Sequence, residues 1–161
     1  MEDWADFYVA TVGAAGALAG LVVVAISINI SRILDFAGLP ALAAHTVATI
    51  SIALVVGCFA LFPHQPGWAF GLEVLACGAS VGAFGARRAL VSWANRRPED
   101  PTIWRISVAV TAALSSLPYV IGGIALLLNM EAGLYWVAVG VILGFIVTLQ
   151  NGWVLLIEIL R

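Results

Sequence analysis

Apolar positions fall into five long runs, separated by short polar punctuation. The runs cover residues 6–30, 40–62, 67–87, 103–129 and 133–160. At ~1.5 Å per helical residue each is long enough to cross a bilayer core of ~30 Å. Pro40 opens the second run at a helix start and Pro63 closes it, since proline suits a first turn and cannot continue a helix. Pro63-His64-Gln65-Pro66 is then a tight connection. The third run can continue as a helix toward Asn95 beyond the membrane, and Pro118 inside the fourth should kink it. The pattern predicts an all-α, polytopic membrane helix bundle with five transmembrane helices in one domain, 1–161.

Small residues are arranged as faces. In the first run Gly13, Gly20 and Ser27 recur every seven positions, with Gly16, Ala17, Val24 and Ser31 on the same side. Lipid gives helices little hydrophobic reason to associate, so small residues that allow close backbone approach are the expected contact surfaces. On this reading the first helix is the central packing element. Gly71, Gly78, Gly82 and Gly85 make a face on the third helix, and Gly140 and Gly144 make one on the fifth.

Composition agrees. The 161 residues are 63% hydrophobic and 10% charged, with a mean hydropathy of +1.08, which leaves too little polar surface for a water-soluble domain. The seven basic residues are all arginine, at 32, 87, 88, 96, 97, 105 and 161. With the N-terminus outside and the C-terminus cytoplasmic, all of them lie on the cytoplasmic side or at adjoining helix ends, as the positive-inside rule requires. The expected location is the cell inner (plasma) membrane, multi-pass. The acidic start MEDWADFY lacks the basic region of a cleavable signal, so the first helix is expected to be retained.

The one sizeable aqueous segment is the cytoplasmic loop 88–102; its Arg88, Arg96 and Arg97, with Arg87 at the adjoining helix end, either meet anionic lipid head groups or dock a cytoplasmic partner. That is too little basic surface for nucleic acid. Cys58 and Cys77 lie in apolar runs and are expected to be buried thiols.

Polar groups in the bilayer face a bundle interior or a wet path. The reading places an acidic site at the outer end, Glu73, and a polar cluster near the inner end, with a mostly apolar middle. The inner set is Ser27, Asn29, His45, Thr49, Gln150 and Asn151. Glu73 either binds a cation or proton or bonds to a neighbouring polar group. His45 is a satisfied polar residue or, less simply, a proton switch, and Glu158 pairs with Arg161 at a helix end. The two histidines are expected on opposite sides of the membrane. No HExxH, phosphate loop or nucleophile–base–acid set is present, so no metal, cofactor or catalytic residue is expected and the chain is read as a non-enzyme.

The opening WADFYVATVGAAGALAGLVVVAISINISRIL and the ending GLYWVAVGVILGFIVTLQNGWVLLIEILR resemble a family of small bacterial membrane proteins, seen especially in actinobacteria. Some members carry names such as modulator of a membrane protease, which implies a partner of that kind but no site residues. A local likeness to the Orai pore helix runs through Ala17-Leu18-Ala19-Gly20-Leu21 and Val24-Ala25. The acidic selectivity residue of that helix would fall near Ile28 or Asn29, neither of them acidic.

The expected function is a homo-oligomeric ion or small-solute channel, with Glu73, Ser27, Asn29 and Asn151 as pore or ion-binding candidates. Gly13, Gly16, Gly20, Gly78, Gly82, Gly140 and Gly144 are the packing positions. The alternative is an accessory or scaffold subunit for another membrane protein, and a small transporter is third. The expected partners are the lipid bilayer, further copies of the chain and, on the alternative, a second membrane protein.

Overall fold

A computed structural model describes residues 4–36, 38–94 and 102–157. Six helices follow one another: α1 (Ala5–Ile28), α2 (Ile30–Asp35), α3 (Leu39–Ala60), α4 (Gly67–Ala94), α5 (Thr102–Leu127) and α6 (Ala132–Leu156). All but α2 are long and apolar enough to span a membrane, and the described residues contain no strand. One boundary differs from the sequence reading, and one open extension is realised. The stretch after Asn29 turns into the short α2 instead of a plain loop, whereas α4 carries on to Ala94 along the extension toward Asn95, so Arg88, which the 88–102 loop had included, belongs to a helix with Arg87. Arg96 and Arg97 lie outside the described residues.

The helix ends have local causes. Gly38 takes φ +92°, a left-handed conformation in which a Cβ is disfavoured, and delivers Pro40 into the first turn of α3. Asn129 takes φ +58° at the end of α5. The Met130 N–H reaches back to the Ala125 carbonyl and the Asn129 N–H to that of Leu126, a Schellman closure that turns the chain at once into α6. Pro118 lies inside α5, and the helix continues through it.

The bundle is seated on the α4–α5 pair. A methyl added at Gly71 would meet the Leu126 Cβ at 2.9 Å, one at Gly78 the Tyr119 Cβ at 2.8 Å, and one at Gly85 the Ala112 Cβ at 2.7 Å. The glycine face predicted on the third span therefore holds the fourth. α6 closes on α5 in the same way, Gly133 against Leu126 and Gly140 against the Tyr119 ring.

α1 is not central. It lies on α3 with secondary contact to α6, and its buried positions are Tyr8, Thr11, Ala15, Val22 and Ala25. The glycine at the α1–α3 crossing is on α3, where Val12 packs onto Gly57. Gly13, Gly16 and Gly20 have no atom within 4 Å of where a methyl would sit. The buried positions of α1 recur at 8, 11, 15, 22 and 25, a 3–4 spacing that marks one seam, and at 100° per residue the three glycines fall on nearly the opposite side.

Candidate functional site

Two regions hold polar chemistry within the membrane-spanning helices, one at each end. At the end free of arginine, Gln65 donates from Nε2 to the Glu73 carboxylate at 2.6 Å. Glu73 is half-buried. Beside this end Trp4, Phe7, Tyr8 and Tyr135 form an edge-to-face aromatic group that reaches Phe70, with Trp4–Tyr135 centroids 4.9 Å apart. Of the two readings of Glu73, the structure supplies the hydrogen-bond partner that the structural one calls for.

The second region lies toward the arginine-bearing end, inside the protomer. His45 is fully buried on α3 and its ring stacks on Phe84 of α4, with centroids 6.1 Å apart and planes at 14°. Its Nε2 lies 3.5 Å from the Ser115 hydroxyl of α5, which itself donates to the Ala112 carbonyl at 3.1 Å. The ring fits because α4 offers Gly85 there: a methyl on that residue would stand 3.3 Å from Nε2. One turn further along α4 comes Arg88, with one terminal guanidinium nitrogen buried.

α6 completes the group. Gly144 lies opposite both Thr49 and the Tyr119 hydroxyl, each 3.7 Å from where its methyl would be. α3 and α6 run antiparallel as membrane neighbours, so one turn toward the arginine end brings Thr148 to the level of His45. One more turn brings Asn151 to the level of Leu42, whose cluster includes Leu155. Thr148 and Tyr119 have no accessible surface, and Asn151 is 6% exposed. Near the helix ends Arg105 is buried with its guanidinium 5.6 Å from the Trp93 ring centroid.

Part of this network is closed and part is not. Thr49 donates to the His45 carbonyl and Thr46 to that of Leu42, both at 2.8 Å. Asn29, at the break between α1 and α2, donates from Nδ2 to the Leu155 carbonyl at 2.9 Å. Among the described residues no hydrogen bond is completed by His45 Nδ1, the Tyr119 hydroxyl, Thr148 Oγ1, Asn151 Nδ2 or Arg88 Nη1. Buried polar groups in proteins are almost always paired, and inside a membrane an unpaired one is costly.

Of the pore candidates, the structure brings Asn29 and Asn151 to the same end and turns both inward. Ser27 points out of the protomer, with its hydroxyl on the Val23 carbonyl at 2.8 Å, and Gln150 is exposed. Gly78, Gly82, Gly140 and Gly144 all face neighbouring helices. Arg87 is exposed and Glu158 lies outside the described residues. Cys58 and Cys77 are free, and Cys58 is exposed on the bundle surface instead of buried, because α3 presents other positions to its neighbours. The expected apolar middle is overturned by Tyr119 and Ser115, whose side chains carry the inner cluster toward mid-depth. Sequence reasoning passed over Tyr119 because one aromatic in a glycine-rich helix reads as packing. The signal was its position opposite Gly78 and Gly140, which leaves a hydroxyl-bearing ring room in the interior.

Among the described residues no group of three or more His, Cys, Asp or Glu side chains is placed to hold a metal. No family model matches the chain, and no curated protein or solved structure matches it either.

Proposed function

We propose that this integral membrane protein is a homo-oligomer that passes an ion or small solute, its copies meeting along α1. The observation that carries self-association is the contrast among glycines. Those on α4 and α6 that face the bundle are in close contact with a neighbour, whereas Gly13, Gly16 and Gly20 face nothing within 4 Å. A bare glycine face weakens a helix and gains nothing from lipid, while against another backbone it permits close approach.

Such a contact face makes a poor conduit. Its hydroxyl at Ser27 is engaged by the Val23 carbonyl, and its remaining positions are apolar. The polar groups suited to a solute lie inside each copy, so the path is assigned to the protomer interior, between Asn151 and Tyr119, and not to the axis of a ring. The orientation keeps the N-terminus outside and the arginine-bearing end in the cytoplasm of a bacterial plasma membrane.

The mass of the protein in nanodiscs tests this. Three or more copies are expected, and Gly16→Leu with Gly20→Leu should reduce the mass to that of one copy without lowering the unfolding temperature. A wild-type monomer would shift the reading to an accessory subunit whose bare face docks on a different membrane protein. Flux into liposomes tests conduction separately. Thr148→Leu, which fills the interior, should abolish flux if the path runs there, and Glu73→Gln should alter ion preference only if the outer carboxylate takes part.

A further inference from the structure

The seam that seats α4 on α5 leaves a groove along its flank. Ala79, Ala86 and Ala89 of α4 and Ala109, Ala113 and Ser116 of α5 line a cleft of about 440 Å³. The Ser116 hydroxyl is turned onto the Ala112 carbonyl at 2.8 Å, so the lining is apolar. Along α4 the positions 75, 79, 82, 86, 89 and 93 read Leu, Ala, Gly, Ala, Ala and Trp, at a 3–4 spacing that keeps them on one side of the helix. Leu75 packs against Gly123 and ends the small-residue floor at mid-depth. Trp93, 48% exposed, stands one turn beyond Ala89 at the other end. There the Arg105 guanidinium of α5, one turn before Ala109, lies 5.6 Å from the Trp93 ring centroid.

We propose that this groove holds an acyl chain of an anionic phospholipid, with the headgroup at the level of Arg87 and Trp93. Length decides between a lipid and a helix. From Gly78 to Ala89 the floor covers ~16 Å of α4, about half of a ~30 Å core, which is one leaflet. A spanning helix from another protein would need a groove through both leaflets. A chain lying on glycine and alanine approaches the backbone closely and gains dispersion contacts along its length. Charge selects the headgroup. Arg87 is exposed next to Ala86, and Arg32, Arg88 and Arg105 lie at the same end. Among the described residues the carboxylate at that end is Asp35 on α2, which packs on α3 and α1, away from the groove. Basic residues at the membrane border favour anionic headgroups, and an indole prefers the same depth. The proposal uses the membrane placement of the helices and requires neither flux nor self-association.

The test is native mass spectrometry of the full chain, released from detergent after incubation with equal amounts of phosphatidylglycerol and phosphatidylethanolamine. At least one phosphatidylglycerol per protomer should be retained in preference to phosphatidylethanolamine. Ala86→Leu with Ala113→Leu, which fills the groove from its membrane side, should cut retention several-fold. Arg87→Gln, at an exposed position, should keep lipid bound but lower the preference for phosphatidylglycerol several-fold, and it decides the matter if the filled variant does not fold. Equal retention of the two lipids by the wild type would overturn the anionic headgroup. Retention unchanged by the filled groove, or a preference unchanged by Arg87→Gln, would overturn the site. A filled groove that lowers the number of copies in the measured mass while the lipid stays bound would replace the lipid site with a contact between copies.

Discussion

Gly78 and Gly16 are the same residue on helices of the same bundle, and the protomer treats them in opposite ways. At Gly78 a side chain would run into Tyr119 and the backbone at Val120, whereas at Gly16 it would meet nothing. Gly78→Val is therefore expected to lower stability by about 1–3 kcal/mol, the cost of overpacking a closed contact, measured by unfolding in detergent. Gly16→Val should leave the same measurement unchanged or slightly raised. Both glycine series were equally plain in the sequence, because spacing reports that a face is small and says nothing of which helix fills it. Asn29 shows the same limit. Its polarity and depth were legible, but the acceptor is a carbonyl on α6, 126 residues away, and no local pattern points there. Asn29→Ala should cost roughly 0.6 kcal/mol, in keeping with other hydrogen bonds between membrane helices.

The elements were legible wherever prolines and the length of apolar runs mark them. Pro40 and Pro63 bracket α3, and the five spans follow from run length alone. α4 was legible only in part. Its 28 residues come to ~42 Å of helix, so its last turns extend beyond a ~30 Å core, where arginine replaces the apolar residues that usually identify a span. The α5–α6 turn depends on backbone geometry at one residue. Asn129 is suited to its positive φ, whereas a β-branched residue is strained there. Asn129→Val should destabilise the protein by about 1–2 kcal/mol, and Asn129→Gly should not; unfolding of the two variants side by side checks this.

For the whole molecule the arginines are the guide. Arg32, Arg87, Arg88 and Arg105 gather at one end of the bundle once the five spans alternate, although they are scattered through more than seventy positions of chain. The orientation assigned to that end has a direct test. With Cys58 and Cys77 replaced by serine, a cysteine at His64 should react with a membrane-impermeant maleimide applied to intact cells, and one at Ala94 only after the membrane is opened. The reverse pattern would invert the topology. The candidate site was less legible than the spans, since His45, Ser115, Thr148 and Gly85 come from four helices and only packing shows that they share a level.

The bond between Asn29 and the Leu155 carbonyl also bears on how the protein is made. The α4–α5 glycine contact joins neighbours in sequence and can form as soon as both have left the ribosome. α1 emerges well before α6, yet the group that fastens its arginine-side end is on α6. During translation that end must wait, with an uncommitted amide, until α6 arrives. Nascent chains stopped before residue 155 should therefore keep α1 on α3 but hold its Asn29 end loosely, which makes the arrival of α6 the step at which that end is locked in.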